Sequence, residues 1–276
     1  MGPSGKNRWT LMEFYGLIGR NLDHSISSQM HNKIFALTQK EAAYKNFDIE
    51  RDDIGLVINA MKTLAIRGAN VTMPYKEIAL YLCDSLDEVA QKTVSVNTLV
   101  NKNGYIKGYN TEYYGFEKLY NEVCPKGLKT AVVLGNGGSA KTVINYLNDI
   151  GMKKITVVSR RIEDSPFNNT RIIPYDFLPD VKADIVINTT PLGMMPNIDE
   201  CILEEYLFRN FSYAIDVIYN PQETEFIKRA KRNGLLCASG RTMLIWRAIH
   251  SQEIWQDRTF DNTLFNLLND YTSELL

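Results

Sequence analysis

Residues 130–140 read Thr-Ala-Val-Val-Leu-Gly-Asn-Gly-Gly-Ser-Ala, and no other stretch restricts the fold as much. Thr130 to Leu134 is apolar without alternation, the pattern of a strand buried on both faces. Such a strand needs a layer of helices above it and another below, which selects an α/β architecture. The run ends in a glycine-rich turn at Gly135, and a helical stretch follows to about Asp149. Downstream, Ile155 to Val158, Ile185 to Asn188, Ala214 to Ile218 and Leu235 to Ala238 read as further strands. A helix over Gln222 to Asn233 separates the last two. Strands spaced by helices predict a parallel, doubly wound sheet. Thr242 to Leu276 is helical by pattern.

The chain upstream of about Asn110 has a different character. Leu11 to Ile18, Tyr44 to Ile49 and Gly68 to Thr72 read as strands, with helices at Gln29 to Leu37 and Ile54 to Ile66. Pro74 suits the first turn of a helix over Tyr75 to Cys83. Thr98 to Asn101 and Tyr105 to Gly108 flank Asn103-Gly104, a dipeptide that favours a tight hairpin. This half is expected to be a mixed α/β unit, giving two α/β domains in all.

Composition narrows the function classes. The 276 residues carry 31 Lys+Arg against 32 Asp+Glu, without the basic surplus of a nucleic-acid binder. No apolar run approaches the roughly 18 residues a membrane helix requires. Met1 to Asn7 is small and polar, is followed by no signal peptide or lipidation motif, and reads as a frayed tail. Cys83, Cys124, Cys201 and Cys237 lie far apart with no Cys-x-x-Cys, so reduced thiols and a cytoplasmic location are expected. The three histidines form no ligand pair at helical spacing, which argues against a metal site. Neither Pro-rich linkers nor long charged runs suggest a partner protein. A monomer or homodimer is expected.

Gly135-x-Gly137-Gly138, between a buried strand and a helix, is a variant of the dinucleotide fingerprint. Glycines bring backbone N–H groups close to a pyrophosphate, and the helix dipole beginning near Ser139 favours its charge. The third glycine of the usual pattern is out of register, so a glycine-rich turn with no ligand is the competing reading. The next strand ends at Ser159-Arg160-Arg161. Two arginines there suit a ribose 2′-phosphate, where a carboxylate would suit a 2′-hydroxyl; a solvated basic strand end is the alternative.

Taken in order, the short strings resemble the shikimate/quinate dehydrogenase family almost end to end. They are Gly16-Leu-Ile-Gly19, His24-Ser25-Ile-Ser27, His31-Asn32, Asn70-Val-Thr72-Met-Pro-Tyr-Lys76, Val96-Asn97-Thr98 and Gly108-Tyr-Asn110-Thr111. Gly135 to Ala140, Asn188-Thr-Thr-Pro-Leu-Gly-Met194, Asp216-Val-Ile-Tyr219 and Ser239-Gly240 to Met243-Leu244 complete the series. The resemblance implies an N-terminal mixed α/β substrate domain, residues 1–112, completed by helices in 243–276. It implies a Rossmann-type cofactor domain over 113–242, with the active site between the two. It further implies NADP as cofactor, a cyclic polyhydroxy acid as substrate, and a place in aromatic amino acid biosynthesis through the chorismate pathway.

Position by position, the resemblance assigns Ser25 and Ser27 to the substrate carboxylate and Thr72, Asn97 and Tyr219 to the polyol. Lys76 takes the place of the catalytic lysine, with Glu112 as its acidic partner. Gly135, Asn136, Gly137, Gly138, Ser139, Ser159, Arg160, Arg161, Thr189, Val217 and Gly240 fall at cofactor positions. The chemistry is sound without the family. Two hydroxyls one residue apart can donate convergently to a carboxylate, and a partly desolvated lysine beside a carboxylate can exchange a proton during hydride transfer. Thr189-Thr190 before Pro191 is equally readable as turn chemistry, and His24 and His31 as structural.

Two positions depart from the family pattern. Where the family has Asn-Thr-Asp, this chain has Asn110-Thr111-Glu112, which moves the carboxylate by about 1 Å or more. Where the family has Met-Leu-x-x-Gln, this chain has Met243-Leu-Ile-Trp-Arg247, a donor-only cation. An unpaired arginine in a closed cleft is costly, so Arg247 is expected to pair with Glu112 or with an acidic group on an altered substrate; projection into solvent is the alternative. Quinate, an aminoshikimate or another acid as substrate, or a ligand-binding protein with weak catalysis, therefore stay open. Asp164, where many members carry a second basic residue, leaves NAD open as cofactor.

Overall fold

The computed structural model describes residues 12–162 and 169–276; Met1 to Leu11 and Asp164 fall outside them. The first unit runs β1 (Glu13–Gly19), α1 (Ser27–Leu37), β2 (Ala42–Asp48), α2 (Ile54–Thr63), β3 (Gly68–Val71) and α3 (Lys76–Leu82). It continues with β4 (Ser85–Leu86), α4 (Glu88–Thr93), β5 (Thr98–Lys102) and β6 (Tyr105–Tyr109). Its six-stranded sheet has the order β2-β1-β3-β5-β6-β4. Strands β1, β2 and β3 are parallel, whereas β5 is antiparallel to both β3 and β6, the mixed sheet expected. Asn103 and Gly104 both take positive φ (56° and 88°) and so supply the tight β5–β6 turn. A 13-residue helix, α5 (Thr111–Val123), then leads to the second unit.

That unit contains β7 (Thr130–Leu134), α6 (Gly138–Asp149), β8 (Lys154–Val158), β9 (Thr170–Ile173), β10 (Ile185–Asn188), β11 (Tyr213–Asp216), α7 (Glu225–Arg232) and β12 (Leu236–Ser239). All neighbours are parallel in the order β12-β11-β10-β7-β8-β9. Counted from β7, this is the 3-2-1-4-5-6 order of a dinucleotide-binding sheet. The apolar run at 130–134 explains itself here. Ala131 and Val133 pack with Phe116, Val143 and Leu147 on one face, while Val132 and Leu134 pack with Leu178, Phe208 and Phe226 on the other. Each fully buried valine or leucine contributes about 1.5–3 kcal/mol, so neither face tolerates a polar residue.

The chain then returns to the first unit. Helix α8 (Arg241–Gln256) and helix α9 (Asn262–Leu275) bury Leu244, Ile245, Ile249 and Leu268 against Met30 and Ile34 of α1. The single helical stretch expected over 242–276 is broken at Asp257, which closes α8 in the left-handed region, while Phe260 N–H donates to Glu253 Oε1 at 2.9 Å.

Other boundaries shift for local reasons. Helix α1 starts at Ser27, two residues before the predicted Gln29. Pro74 lies in the turn before α3, where Tyr75 N–H donates to the Thr72 carbonyl at 2.9 Å, and not in the helix's first turn. Helix α7 starts at Glu225 and not Gln222, because the Thr224 hydroxyl caps it by accepting from Ile227 N–H at 3.3 Å.

Candidate active site

Strand direction gathers Ser25, Ser27, Thr72, Lys76, Asn97 and Glu112 at one edge of the first sheet, whereas Tyr219 follows β11 of the second sheet and Arg247 lies on α8. Ser25 and Ser27 follow the carboxyl end of β1, and Thr72 to Lys76 follow that of β3. Because β5 runs the other way, with Thr98 paired to Asn70, Asn97 arrives at the same edge. Tyr109 pairs with Thr98, which brings Asn110 to Glu112 there as well. In the second sheet Gly135, Ser159, Thr189, Val217 and Gly240 all follow carboxyl ends of parallel strands. The glycine loop follows β7, the strand flanked by β10 and β8, at the switch point where such sheets bind ligands.

Glu112 is the centre of the first group. Asn110 caps α5, its Oδ1 accepting from Glu112 N–H at 3.0 Å, so Glu112 points inward from the first turn and is only 2% exposed. Its Oε1 accepts from Lys76 Nζ at 2.5 Å and from Arg247 Nη1 at 3.2 Å. The pairing expected for Arg247 is thus present, although 135 residues separate it from Glu112. Burial pushes the Glu112 carboxyl up, but the charges of Lys76 and Arg247 and their hydrogen bonds outweigh it and hold it below the usual range. Oε2 is buried with no hydrogen-bond partner among the described residues. At this site a carboxylate is kept ionised with one oxygen free to accept.

The neighbours are placed as follows. Ser25 Oγ donates to Ser27 Oγ at 3.1 Å, so the two hydroxyls converge. Asn97 is buried; its Oδ1 accepts from Thr111 N–H at 2.8 Å and its Nδ2 donates to Thr111 Oγ1 at 3.1 Å, which leaves one amide N–H uncommitted. Thr72 is half-buried, with its methyl against Gly19. Tyr219 is partly buried against the α1–α8 cluster. His31 is buried, stacked on Tyr44, and paired through Nδ1 with Gln252. Burial, together with the Arg247 charge, pushes its imidazole down to about 3, which suits packing and not proton transfer.

On the second sheet, Gly135 has φ +102° and an added Cβ would stand 2.9 Å from Thr189 Oγ1. An added Cβ at Gly137 or Gly138 would meet nothing within 4 Å. Gly137 N-caps α6 without a side-chain cap, so the helix's first N–H groups receive no capping side chain from it, and Asn136 and Ser139 flank Gly137 and Gly138 in the chain. These residues fit a dinucleotide phosphate. Ser159 is buried, its Oγ accepting from Arg161 N–H at 3.1 Å, and Arg160 and Arg161 are exposed at the end of β8. The Thr189 hydroxyl donates to the Leu134 carbonyl at 2.7 Å, tying β10 to β7; its proton is committed to the protein. Gly240 lies against Val217, whose carbonyl oxygen would be 2.1 Å from an added Cβ.

Sequence reasoning missed a buried network behind the site. Ser251 Oγ lies 3.0 Å from Thr98 Oγ1 and accepts from Asn70 Nδ2 at 2.9 Å, and it donates to the Arg247 carbonyl at 3.0 Å. Its only sequence signal is spacing, one helical turn beyond Arg247. Two cross-unit ion pairs, Glu77 with Lys141 and Lys92 with Asp149, also went unread.

Residues 17–99 match the family model described as the shikimate dehydrogenase substrate binding domain. Shikimate dehydrogenase (NADP(+)) of Clostridium beijerinckii is 43% identical over 258 residues, which cover 92% of this chain and 95% of that protein. The crystal structure of shikimate dehydrogenase 1 from Peptoclostridium difficile is similar with a TM-score of 0.89 at 38% identity, covering 95% of this chain and 98% of that one. A chorismate mutase/shikimate 5-dehydrogenase fusion protein from Clostridium acetobutylicum gives a TM-score of 0.91 at 35% identity, with coverage of 95% and 98%. By sequence over nearly its whole length, and by fold, the chain belongs to the shikimate dehydrogenase family.

Proposed function

We propose that the chain is an NADP-dependent dehydrogenase that interconverts shikimate and 3-dehydroshikimate in the chorismate route to aromatic amino acids. The observation that carries this reading is the buried Lys76–Glu112 pair, 2.5 Å apart, at the sheet edge where the carboxylate-binding serines converge. Bound NADP supplies the hydride donor or acceptor. Lys76, held by Glu112, donates a proton to the carbonyl oxygen in the reducing direction and takes it from the hydroxyl in the oxidising one. Glu112 keeps the ammonium aimed, and its free Oε2 accepts from a ring hydroxyl. Ser27 donates its hydroxyl to the substrate carboxylate, and Ser25 does so on giving up its bond to Ser27, while Thr72, Asn97 and Tyr219 line the ring.

Gly135 to Ser139 hold the pyrophosphate, Arg160 and Arg161 the 2′-phosphate, and Thr189, Val217 and Gly240 the nicotinamide end. Residues 1–112 with 243–276 form the substrate domain and 113–242 the cofactor domain, a division supported by the packing of α8 and α9 on α1. The protein acts in the cytoplasm, as a monomer or homodimer, and its free cysteines suit that compartment. The Arg247–Glu112 contact favours one second reading, a relative whose preferred acid is not shikimate. Lys76→Met tests the main reading: kcat should fall by about 10²–10⁴-fold with NADP affinity retained. Full activity in that variant would refute it.

A further inference from the structure

Three helices converge on one oxygen. Glu112 Oε1, on α5, takes Lys76 from α3 and Arg247 from α8, while Oε2 beside it has no partner among the described residues. A carboxylate has about four acceptor positions, and buried polar atoms are normally paired. Two cations crowded on one oxygen beside a bare one mark a group held in a fixed rotation for something outside the protein.

We infer that Arg247 is a positioning residue: it fixes the rotation of Glu112 so that Lys76 stays on Oε1 and Oε2 remains the free acceptor toward bound substrate. The inference rests on the dehydrogenase reading given above. Two further observations support it. The turn carrying Arg247 is anchored from behind, since its carbonyl accepts from Ser251, and Ser251 is bonded to Asn70 of β3 and Thr98 of β5. Gly115 lets α5 and α8 approach closely, with an added Cβ standing 2.6 Å from the Met243 carbonyl. Arg247 is therefore built into its place, with its side chain 28% exposed, and does not project into solvent.

The charge has a measurable consequence. Burial raises the Glu112 carboxyl and the two cations lower it. Without Arg247, burial is opposed by Lys76 alone, so the carboxyl titrates at higher pH. The other titratable groups near Arg247 are His31 of α1 and Tyr44 of β2. His31 is held neutral down to about pH 3, and burial pushes Tyr44 well above its usual range. Neither changes charge between pH 4 and 9, so a moving acid limb does not come from either of them.

The experiment compares Arg247→Gln, Arg247→Lys and Glu112→Asp with wild type, following kcat, KM for NADP and the pH profile of shikimate oxidation. Arg247→Gln should lose about 10-fold or more in kcat at unchanged KM for NADP, and its acid limb should move to higher pH. Arg247→Lys should keep the limb near its wild-type position. Arg247→Gln combined with Glu112→Asp should lose less than the product of the two single losses. An acid limb unmoved in Arg247→Gln, whatever its kcat, overturns the inference.

Absence of shikimate turnover in wild type would instead defeat the dehydrogenase reading. Urea unfolding against pH then decides the inference separately. The stability gap between wild type and Arg247→Gln should be full at pH 7 and shrink as pH falls through the variant's raised Glu112 titration towards the lower one of wild type. A gap independent of pH overturns it.

Discussion

Gly115 and Gly55 both lie inside helices, yet the same substitution should act on them in opposite directions. Gly115 is on α5 facing α8. A methyl group there would stand 2.6 Å from the Met243 carbonyl oxygen and 3.3 Å from both Arg247 N and Arg247 Cβ. These are helix atoms that cannot swing aside, so the two helices must separate by about half an ångström or more. Overpacking of this kind costs about 1–3 kcal/mol, against roughly 1 kcal/mol that alanine gains over glycine in a helix. Gly115→Ala should therefore lower stability by about 1 kcal/mol net. It should also lengthen the 3.2 Å contact between Arg247 and Glu112, and activity should fall with it. Gly55, on α2, has nothing within 4 Å of an added Cβ, so Gly55→Ala should raise stability by up to about 1 kcal/mol and leave activity alone. Urea unfolding of both variants measures the two signs. Equal effects, or a stabilised Gly115→Ala, would refute the packing argument.

Further outcomes follow from the same geometry. Gly137→Ala should keep wild-type stability within about 0.5 kcal/mol, because nothing in the protein opposes the new methyl, yet raise the Kd for NADP in a fluorescence titration; an unchanged Kd would remove the loop from the phosphate site. Arg160→Ala with Arg161→Ala should weaken NADP binding by about 10-fold or more while NAD binding changes little, a contrast readable by the same titration. Glu112→Gln strands two cations at a buried site. Both are partly solvated, so the loss in stability should be about 1–3 kcal/mol rather than the full cost of breaking a buried pair. Since the folded-state carboxyl sits below its usual value, that loss should be complete above about pH 4.5 and vanish as pH falls through the folded titration. A pH-independent loss in urea unfolding would contradict it.

The contrast between readable and unreadable elements has physical causes. The strand at 130–134 and its glycine turn were plain because burial on both faces removes alternation, and because Gly135 needs a positive φ. The Asn103-Gly104 hairpin was plain for the same reason of backbone chemistry. Helix α5 was overlooked although it carries Glu112: its exposed face is rich in polar and tyrosine residues, and a buried glutamate in its first turn disguises the inward stripe. Strand β9 has four residues, with Arg171 among them, and helix α4 has six; neither is long enough to show a period.

At the site, desolvation reasoning anticipated that Arg247 would seek Glu112. What no spacing rule could supply was the sharing of one oxygen by Lys76 and Arg247, or the bare Oε2, because these depend on how α3, α5 and α8 meet. Ser251 is a similar case. As one serine in a helix it is unremarked, and its role comes from the network that links Arg247 to Asn70 and Thr98.

The central claim is hydride transfer between shikimate and NADP, assisted by Lys76. Initial rates for shikimate and for quinate, each with NADP and with NAD, test it most directly by following the reduced cofactor. The account predicts the highest kcat/KM for shikimate with NADP, abolished in Lys76→Met. No turnover of shikimate with either dinucleotide, in protein that still binds NADP, would contradict it.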